Sequence, residues 1–470
     1  MTSWIRWQAE TPVPCPALLF FKEDVMNLLQ GNVKKLYSKY FAAAFGSALI
    51  SSVYGLVDMA MVGQYAGPSG TAALAVVAPI WNIIYSLGLL TGIGGSVLFS
   101  TMRGQNEDGN DYFTTAFIGT VFFASVSWIG IAFFDKELLM LFGASQEILP
   151  IAQSYLLPIK FAVPLFVFNQ MLAAFLRNDG SPGLATAAVL AGGVINVFGD
   201  FFFVFTMNMG AMGAGLATAL CALITFIIML SHFFSKKNTL KLVKPVRFFL
   251  HLKKILVTGF STFFIDVAMG ILTMLFNRQI MTYFGADALA VYGVIVNVGT
   301  IVQCCAYSVG QASQPIISMN FGAKQWARIR ETLKYALRTV CFFSIVWTAA
   351  TLLFPDGFIR IFMSPTNEVL AIAPAIMRSY CISFLLLPFN IFSTYYFQAL
   401  MKPGTSLFVS VARGLVISGL LIYLLPVLAG ADSLWFAMPI TELVIAIVVV
   451  WLMVKYTKEL EKNSLYSSKA

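Results

Sequence analysis

Apolar residues run through this chain in long blocks separated by short polar connectors. Several blocks exceed 18 residues, among them 113–134 and 437–454, and a helix of that length crosses the hydrocarbon core of a bilayer. The pattern predicts about twelve spans of roughly 20 residues each. In the first half they cover 40–62, 77–100, 112–134, 149–176, 184–206 and 212–234. In the second half they cover 254–277, 287–313, 334–354, 370–400, 404–427 and 433–455. The ten-residue alternating strands of a membrane β-barrel are not found. The expected fold is an all-α polytopic membrane protein.

The longest connector, SKKNTLKLVKPVRFFLHLKK, divides the chain into halves of six spans. A shift of 221 aligns 147–183 with 368–404 without a gap, matching Asn169 with Asn390 and Pro182-Gly183 with Pro403-Gly404. A shift of 215 aligns AALAVVAPIWN (72–82) with DALAVYGVIVN (287–297), including Asn82 and Asn297. Six spans return each half to the side on which it began, so the repeat is parallel, with an axis along the membrane normal. A substrate site is expected between such halves. The predicted division is an N-terminal segment (1–39), a first lobe (40–234), a basic linker (235–253), a second lobe (254–455) and a tail (456–470).

Charge fixes orientation. Of 30 lysines and arginines, 24 fall in the connectors and tails of one side, three on the other (Lys136, Arg278, Arg360) and three within spans (Lys160, Arg378, Arg413). The positive-inside rule therefore places both termini in the cytoplasm of a multi-pass inner (cytoplasmic) membrane protein. The same distribution removes nucleic acid as a partner, although the net charge is +9. The partners expected are the lipid bilayer and small organic molecules, with the protein working as a monomer. Residues 1–25 do not form a secretory signal, and Met26 is a plausible start.

Composition agrees: 59% of residues are hydrophobic and 11% charged, where a soluble chain carries about a quarter charged. The six cysteines show no metal-ligand spacing. Only two histidines are present, His232 and His251, and no Walker loop, HExxH or GxSxG motif occurs. No enzyme and no cofactor is expected.

Against this background four carboxylates lie inside spans: Asp58, Asp200, Asp266 and Glu442. An ionisable group in a bilayer core costs roughly 2.5–3.5 kcal/mol and persists beside a cavity or a partner. Asp200 lies ~24 Å and Asp58 ~27 Å above the starts of their spans, with Asn196 one turn before Asp200 on the same face. Tyr155 and Thr218 enter from the other side and lie ~9 Å below it, so all five groups share one layer. Two carboxylates with an amide and hydroxyls suit a hard cation or a shared proton. The bland alternative is that Asn196 and Asp200 only join helices by hydrogen bonds. Asp266 and Glu442 lie near the midplane, with Gln303 and Gln311 on the span between them. They read either as a substrate site for a cation or as partners of Arg413 or Arg378. Lys160 is a possible partner for an acid of the first half.

Several segments together resemble the multidrug and toxic compound extrusion family. They are GLVDMAMVGQYAG followed by AALAVVAP, the glycine-rich second span ending at RGQ, LRNDGSPGLA, INVFGDFFFVF with MGAMGAGLAT, and GQASQPIISMNFGA. The QPIISMNFGA segment is similar to the bacterial subgroup of MepA-type exporters. The resemblance spans 33–455. It implies twelve helices in two pseudo-symmetric six-helix lobes and drug efflux driven by inward proton or sodium flow. The family's first-lobe cation residues match Asp58, Tyr155, Asn196, Asp200 and Thr218. In a sodium-coupled member Asp58, Asn196, Asp200 and Thr218 would hold the metal ion. A seventh-helix glutamate of some members corresponds to Asp266, whereas the tenth-helix acid of others is missing between 379 and 400. The resemblance implies a cation-coupled antiporter; a lipid-linked oligosaccharide flippase of related fold is the alternative, and it would need basic residues such as Lys160, Arg378 and Arg413 lining its cavity.

Overall fold

The computed structural model describes residues 28–467 except residue 364; the Met26 start lies outside them. Twelve helices long and apolar enough to span a membrane occur among the described residues. They are α1 (Val33–Gly67), α2 (Ser69–Gly104), α3 (Asn110–Leu141), α4 (Leu149–Asn178), α5 (Pro182–Thr206) and α6 (Gly210–Phe234). The second half provides α7 (Phe248–Tyr283), α8 (Ala286–Gly322), α9 (Trp326–Leu353), α10 (Asn367–Ala399), α11 (Pro403–Ala429) and α12 (Ala431–Leu460). The helices overrun the apolar blocks because helical hydrogen bonding continues into the polar flanks, to which hydropathy is blind.

Local chemistry marks the breaks. The expected connector between the first two spans is helical on both sides of Gly67, whose φ of 67° and ψ of −155° turn the chain. A Cβ at that conformation would be strained, so glycine is needed there. Helix α10 is interrupted by a 3-10 turn at Ile382–Leu385, just before Pro388, which lacks an amide hydrogen for the helix. A short helix, Pro355–Phe362, precedes it and was not predicted. Helices α5 and α11 each carry a π-helical stretch, Phe201–Thr206 and Ala412–Val416. Such wider turns recur at functional sites.

The halves meet on the face that bears the linker. Residues 88–101 of α2, 171–178 of α4, 308–320 of α8 and 390–399 of α10 are buried without exception. Glycines permit this contact. A Cβ at Gly259 would lie 1.9 Å from the Leu90 carbonyl oxygen, and one at Gly322 would lie 2.0 Å from that of Thr101. Small residues bring helix backbones together in this way in a membrane, where van der Waals packing replaces the hydrophobic effect. Toward the opposite face the halves part. Tyr85 on α2 is 38% exposed although its electrostatic neighbours include Asp266 of the other half. A cleft therefore runs between the halves and is closed at the linker face.

The linker is strapped to the first half. Asp179, after α4, is buried and bonds Arg103 at 2.7 Å, His232 at 2.7 Å and the Thr239 amide at 3.0 Å. Asn110 accepts the Lys241 amide at 2.9 Å, and Thr114 accepts that of Val243 at 2.9 Å. Within the acidic connector 103–111 residues 105–108 are exposed, and the linker is held at its end by Asn110.

Candidate functional site in the first half

Glycines gather four helices around Asp58. A Cβ at Gly193 of α5 would stand 2.7 Å from Ile50 of α1, and one at Gly215 of α6 would stand 2.0 Å from the Tyr155 carbonyl oxygen of α4. The close approach puts side chains from α4, α5 and α6 onto one carboxylate of α1. Asp58 is 4% exposed. Its Oδ2 accepts the Tyr155 hydroxyl at 2.9 Å and the Thr218 hydroxyl at 2.8 Å, and its Oδ1 accepts the Asn196 Nδ2 at 3.1 Å. Asn196 also donates to Thr218 at 3.2 Å. These four residues come from spans α1, α4, α5 and α6 and meet in one hydrogen-bonded cluster.

Asp200, one helical turn after Asn196, is fully buried, and its electrostatic neighbour is Asp58. Among the described residues no N–H or hydroxyl donates to either of its carboxylate oxygens or to the Oδ1 of Asn196, and the Asp200 carboxyl lies within hydrogen-bonding reach of that of Asp58. Buried acceptors are costly when unpaired, so the site holds three oxygens with unused lone pairs beside two acids. Lys160 does not neutralise the pair: its ammonium lies 3.1 Å from Asp135, near the end of α3. The donor set is all oxygen, which fits a hard monovalent cation or a proton.

The two remaining acids have separated. Asp266 on α7 is half-buried in the cleft wall and accepts the Tyr307 hydroxyl at 3.0 Å through Oδ1, while its Oδ2 has no partner. Gln303 accepts from the same hydroxyl at 3.4 Å. Gln311 is buried one turn of α8 below Tyr307, with Tyr395 as its neighbour. Glu442 is different and corrects its reading as a substrate contact. It is fully buried and held by Arg413, whose Nε lies 2.8 Å and Nη2 2.8 Å from Oε1, while Asn390 donates to Oε2 at 2.6 Å. A carboxylate whose charge and lone pairs are taken up in this way offers nothing to a substrate. Beside the ion pair is a cavity of ≈ 60 Å³ lined by Thr273, Tyr292, Gln303, Tyr380, Arg413 and Met438, among others. Arg378 is exposed and donates to the Leu352 carbonyl at 3.3 Å.

Sequence reasoning missed Tyr307, which donates to Asp266, and Tyr85. Nothing in their local sequence marks them, because their roles come from helix rotation and from contacts across the halves.

Known proteins resemble the chain over most of its length. The multidrug export protein MepA of Staphylococcus haemolyticus is 23% identical over 407 residues, which is 85% of this chain and 88% of that protein. MepA of Staphylococcus saprophyticus is 24% identical over 299 residues, or 62% of this chain and 65% of that protein, so this match spans just under two thirds of its length. An outward-facing structure of a multidrug resistance MATE family transporter superposes with a TM-score of 0.85 at 21% identity, covering 93% of this chain and 98% of that one. At that identity the likeness establishes the fold. The family model MatE matches residues 43–202 and 255–424, one segment in each half and well over half of the chain. The chain belongs to the MatE family, the multidrug and toxic compound extrusion transporters.

Proposed function

We propose that the protein exports amphipathic organic cations in exchange for an inward-moving proton or sodium ion, by alternating access. The observation that carries this reading is the Asp58–Asp200 pair, with three oxygens to which no described N–H or hydroxyl donates and no cationic side chain in its hydrogen-bond network. Two adjacent carboxylates in a low dielectric repel each other, and capture of one positive charge relieves that cost. The captured charge changes what α1 and α5 prefer to pack against, so the site biases the two arrangements of the first half. The 24-to-3 bias of basic residues places the linker face in the cytoplasm. The cleft in this conformation then opens outward.

Asp266, a half-buried acid of the second half with no cationic partner among the described residues, provides the attraction for a cationic substrate. The relatives named MepA as multidrug export proteins support the export reading. The flippase alternative drew on Lys160, Arg378 and Arg413. Two of these are ion-paired with acids and the third is bound to a backbone carbonyl, so the three do not form a basic lining.

Transport into proteoliposomes tests the proposal, with proton and sodium gradients imposed separately. One gradient is expected to drive uphill movement of an amphipathic cation, and Asp58→Asn or Asp200→Asn is expected to abolish it. Movement of the cation that ignores both gradients would contradict coupling.

A further inference from the structure

The linker between the halves, residues 235–254, carries seven lysines and arginines and no acidic residue. All seven side chains are exposed, and none has an ion pair among the described residues. Apolar side chains lie among them: Leu242, Val246 and Phe249 are 61%, 84% and 83% exposed. Hydrogen bonds hold the segment in place. The amides of Thr239, Lys241 and Val243 bond Asp179, Asn110 and Thr114 of the first half, and Leu240 is buried. The far end enters α7, where His251 lies 3.1 Å from Asp111 and a Cβ at Gly119 of α3 would stand 3.2 Å from Leu252. Phe249 is one turn before Leu252 on the same side of α7. Ile118 and Phe122, beside Gly119, are exposed apolar residues of a spanning helix. The apolar side chains of the linker therefore continue the lipid-facing surface of α3.

Orientation in the membrane does not require this arrangement. Topology depends on the number of basic residues near a span, and exposed apolar side chains add nothing to it. Other basic segments on this face are built differently. In 324–338 Glu331 lies among the basic residues, and Arg328 donates to Asn320 and to the Leu28 carbonyl, both at 2.9 Å. Lys402 faces Glu459 at 3.7 Å. In the linker nothing offsets the charge in this way. Glu107 and Asp108 of the connector 103–111 are exposed, and among the described residues neither forms an ion pair with it. Basic clusters next to a spanning helix attract the phosphates of anionic lipids. Apolar side chains beside such a cluster enter the boundary between headgroups and acyl chains.

We infer that the linker is a binding site for anionic phospholipid: Lys236, Lys237, Lys241, Lys244 and Arg247 hold the lipid phosphates while Leu242, Val246 and Phe249 insert among the acyl chains. The occupant is a membrane lipid rather than a soluble phosphate, because a soluble anion leaves the three apolar side chains in water. Lipid held there steadies the linker. Through the bonds of Asp179, Asn110 and Thr114 it also steadies the ends of α2, α3, α4 and α6 at the closed face. Lipid binding of this kind needs neither the coupling ion nor the exported compound, so its test is separate from that of transport.

Purified full-length protein in detergent is mixed with phosphatidylglycerol or with phosphatidylcholine of the same chain length. Bound lipid is counted by native mass spectrometry, and the midpoint of thermal unfolding is followed in the same mixtures. The wild-type protein is expected to retain phosphatidylglycerol about tenfold or more over phosphatidylcholine and to unfold at a higher temperature with it. Glutamine at all five basic positions named above should reduce that preference to within about twofold, while arginine at the four lysines should keep it. Lys253 and Lys254 stay in every variant to preserve orientation. Val246→Ser with Phe249→Ser should weaken retention of phosphatidylglycerol several-fold, since less apolar surface is buried. Glutamine at five exposed basic residues elsewhere, Lys34, Lys35, Lys334, Arg338 and Lys458, should leave the preference within about twofold of wild type. If the linker glutamine variant does not elute as a single species, Lys241→Gln and Lys244→Gln are read singly, each lowering the preference several-fold. Equal loss in the two five-glutamine variants would overturn the site, because diffuse charge then suffices. Equal retention of the two lipids by the wild-type protein would overturn it too, as would the same stabilisation by glycerol phosphate, which marks a soluble anion.

Discussion

Asn169 and Asn390 hold matching places in the two halves, and their amides do the same thing. Each donates to a backbone carbonyl of its half's sixth helix at 2.9 Å, Asn169 to Ala222 and Asn390 to Glu442. Around that shared bond the halves diverge. In the first half Gly192 packs against Cys221 and Thr225, and a Cβ there would stand 2.2 Å from the Thr225 hydroxyl. In the second half the position 221 residues on is Arg413, and it faces Glu442. The cation-site positions diverge in the opposite sense. A shift of 215 carries Asp58 to Thr273, and a shift of 221 carries Tyr155, Asn196, Asp200 and Thr218 to Ile376, Ile417, Leu421 and Pro439. One scaffold thus holds an acceptor-rich site with unspent oxygens in one half and a closed ion pair in the other. In each half the charged residue of the fifth helix adjoins a π-helical stretch. The comparison teaches that a buried acid is not by itself a functional acid: what matters is whether its lone pairs are spoken for.

The largest effects fall on transport. Asp58→Asn and Asp200→Asn are each expected to reduce gradient-driven export to background while leaving expression and melting temperature near wild type, because a buried charge without a cationic partner is being removed. Solid-supported-membrane currents and thermal unfolding in detergent check both parts. The second-half pair should behave in the reverse manner. Glu442→Gln leaves Arg413 buried and uncompensated, at a cost of about 3–5 kcal/mol, read as a lowered midpoint of thermal unfolding. Replacing both, Arg413→Met with Glu442→Leu, is expected to recover the stability and to keep coupled export. A double variant that folds but no longer couples would erase the distinction between the halves.

Smaller changes sharpen the first-half site. Gly215→Ala drives a Cβ to within 2.0 Å of the Tyr155 carbonyl oxygen. Displacing α6 from α4 should cost about 1–3 kcal/mol of stability and weaken coupling by separating Thr218 from Asp58. Thr218→Val keeps the shape and removes one hydroxyl donor to Asp58. About 1 kcal/mol is at stake, read as a several-fold change in the concentration of coupling ion that gives half-maximal export.

Much of this was legible before the structure. Twelve spans follow from hydropathy, since a bilayer forces apolar length on any helix that crosses it. Asp58 and Asp200 stood out because so few charges lie within spans, and counting residues along each helix fixed their depth. Tyr155 and Thr218 joined them on depth and family likeness. What hydropathy could not see is which groups meet once helices are rotated and crossed. The Arg413–Glu442 bond and the Lys160–Asp135 bond both depend on that geometry. The break in α10 falls beside Pro388, one of four prolines within spans, with Pro79, Pro164 and Pro439, that the sequence marks as able to kink a helix without telling which does.

The most direct measurement compares Asp200→Asn with the Arg413→Met/Glu442→Leu double variant, reconstituted side by side under the gradient that drives the wild-type protein. The account predicts no uphill export by Asp200→Asn and near wild-type export by the double variant. Uphill export by a folded Asp200→Asn protein at the wild-type rate would contradict it.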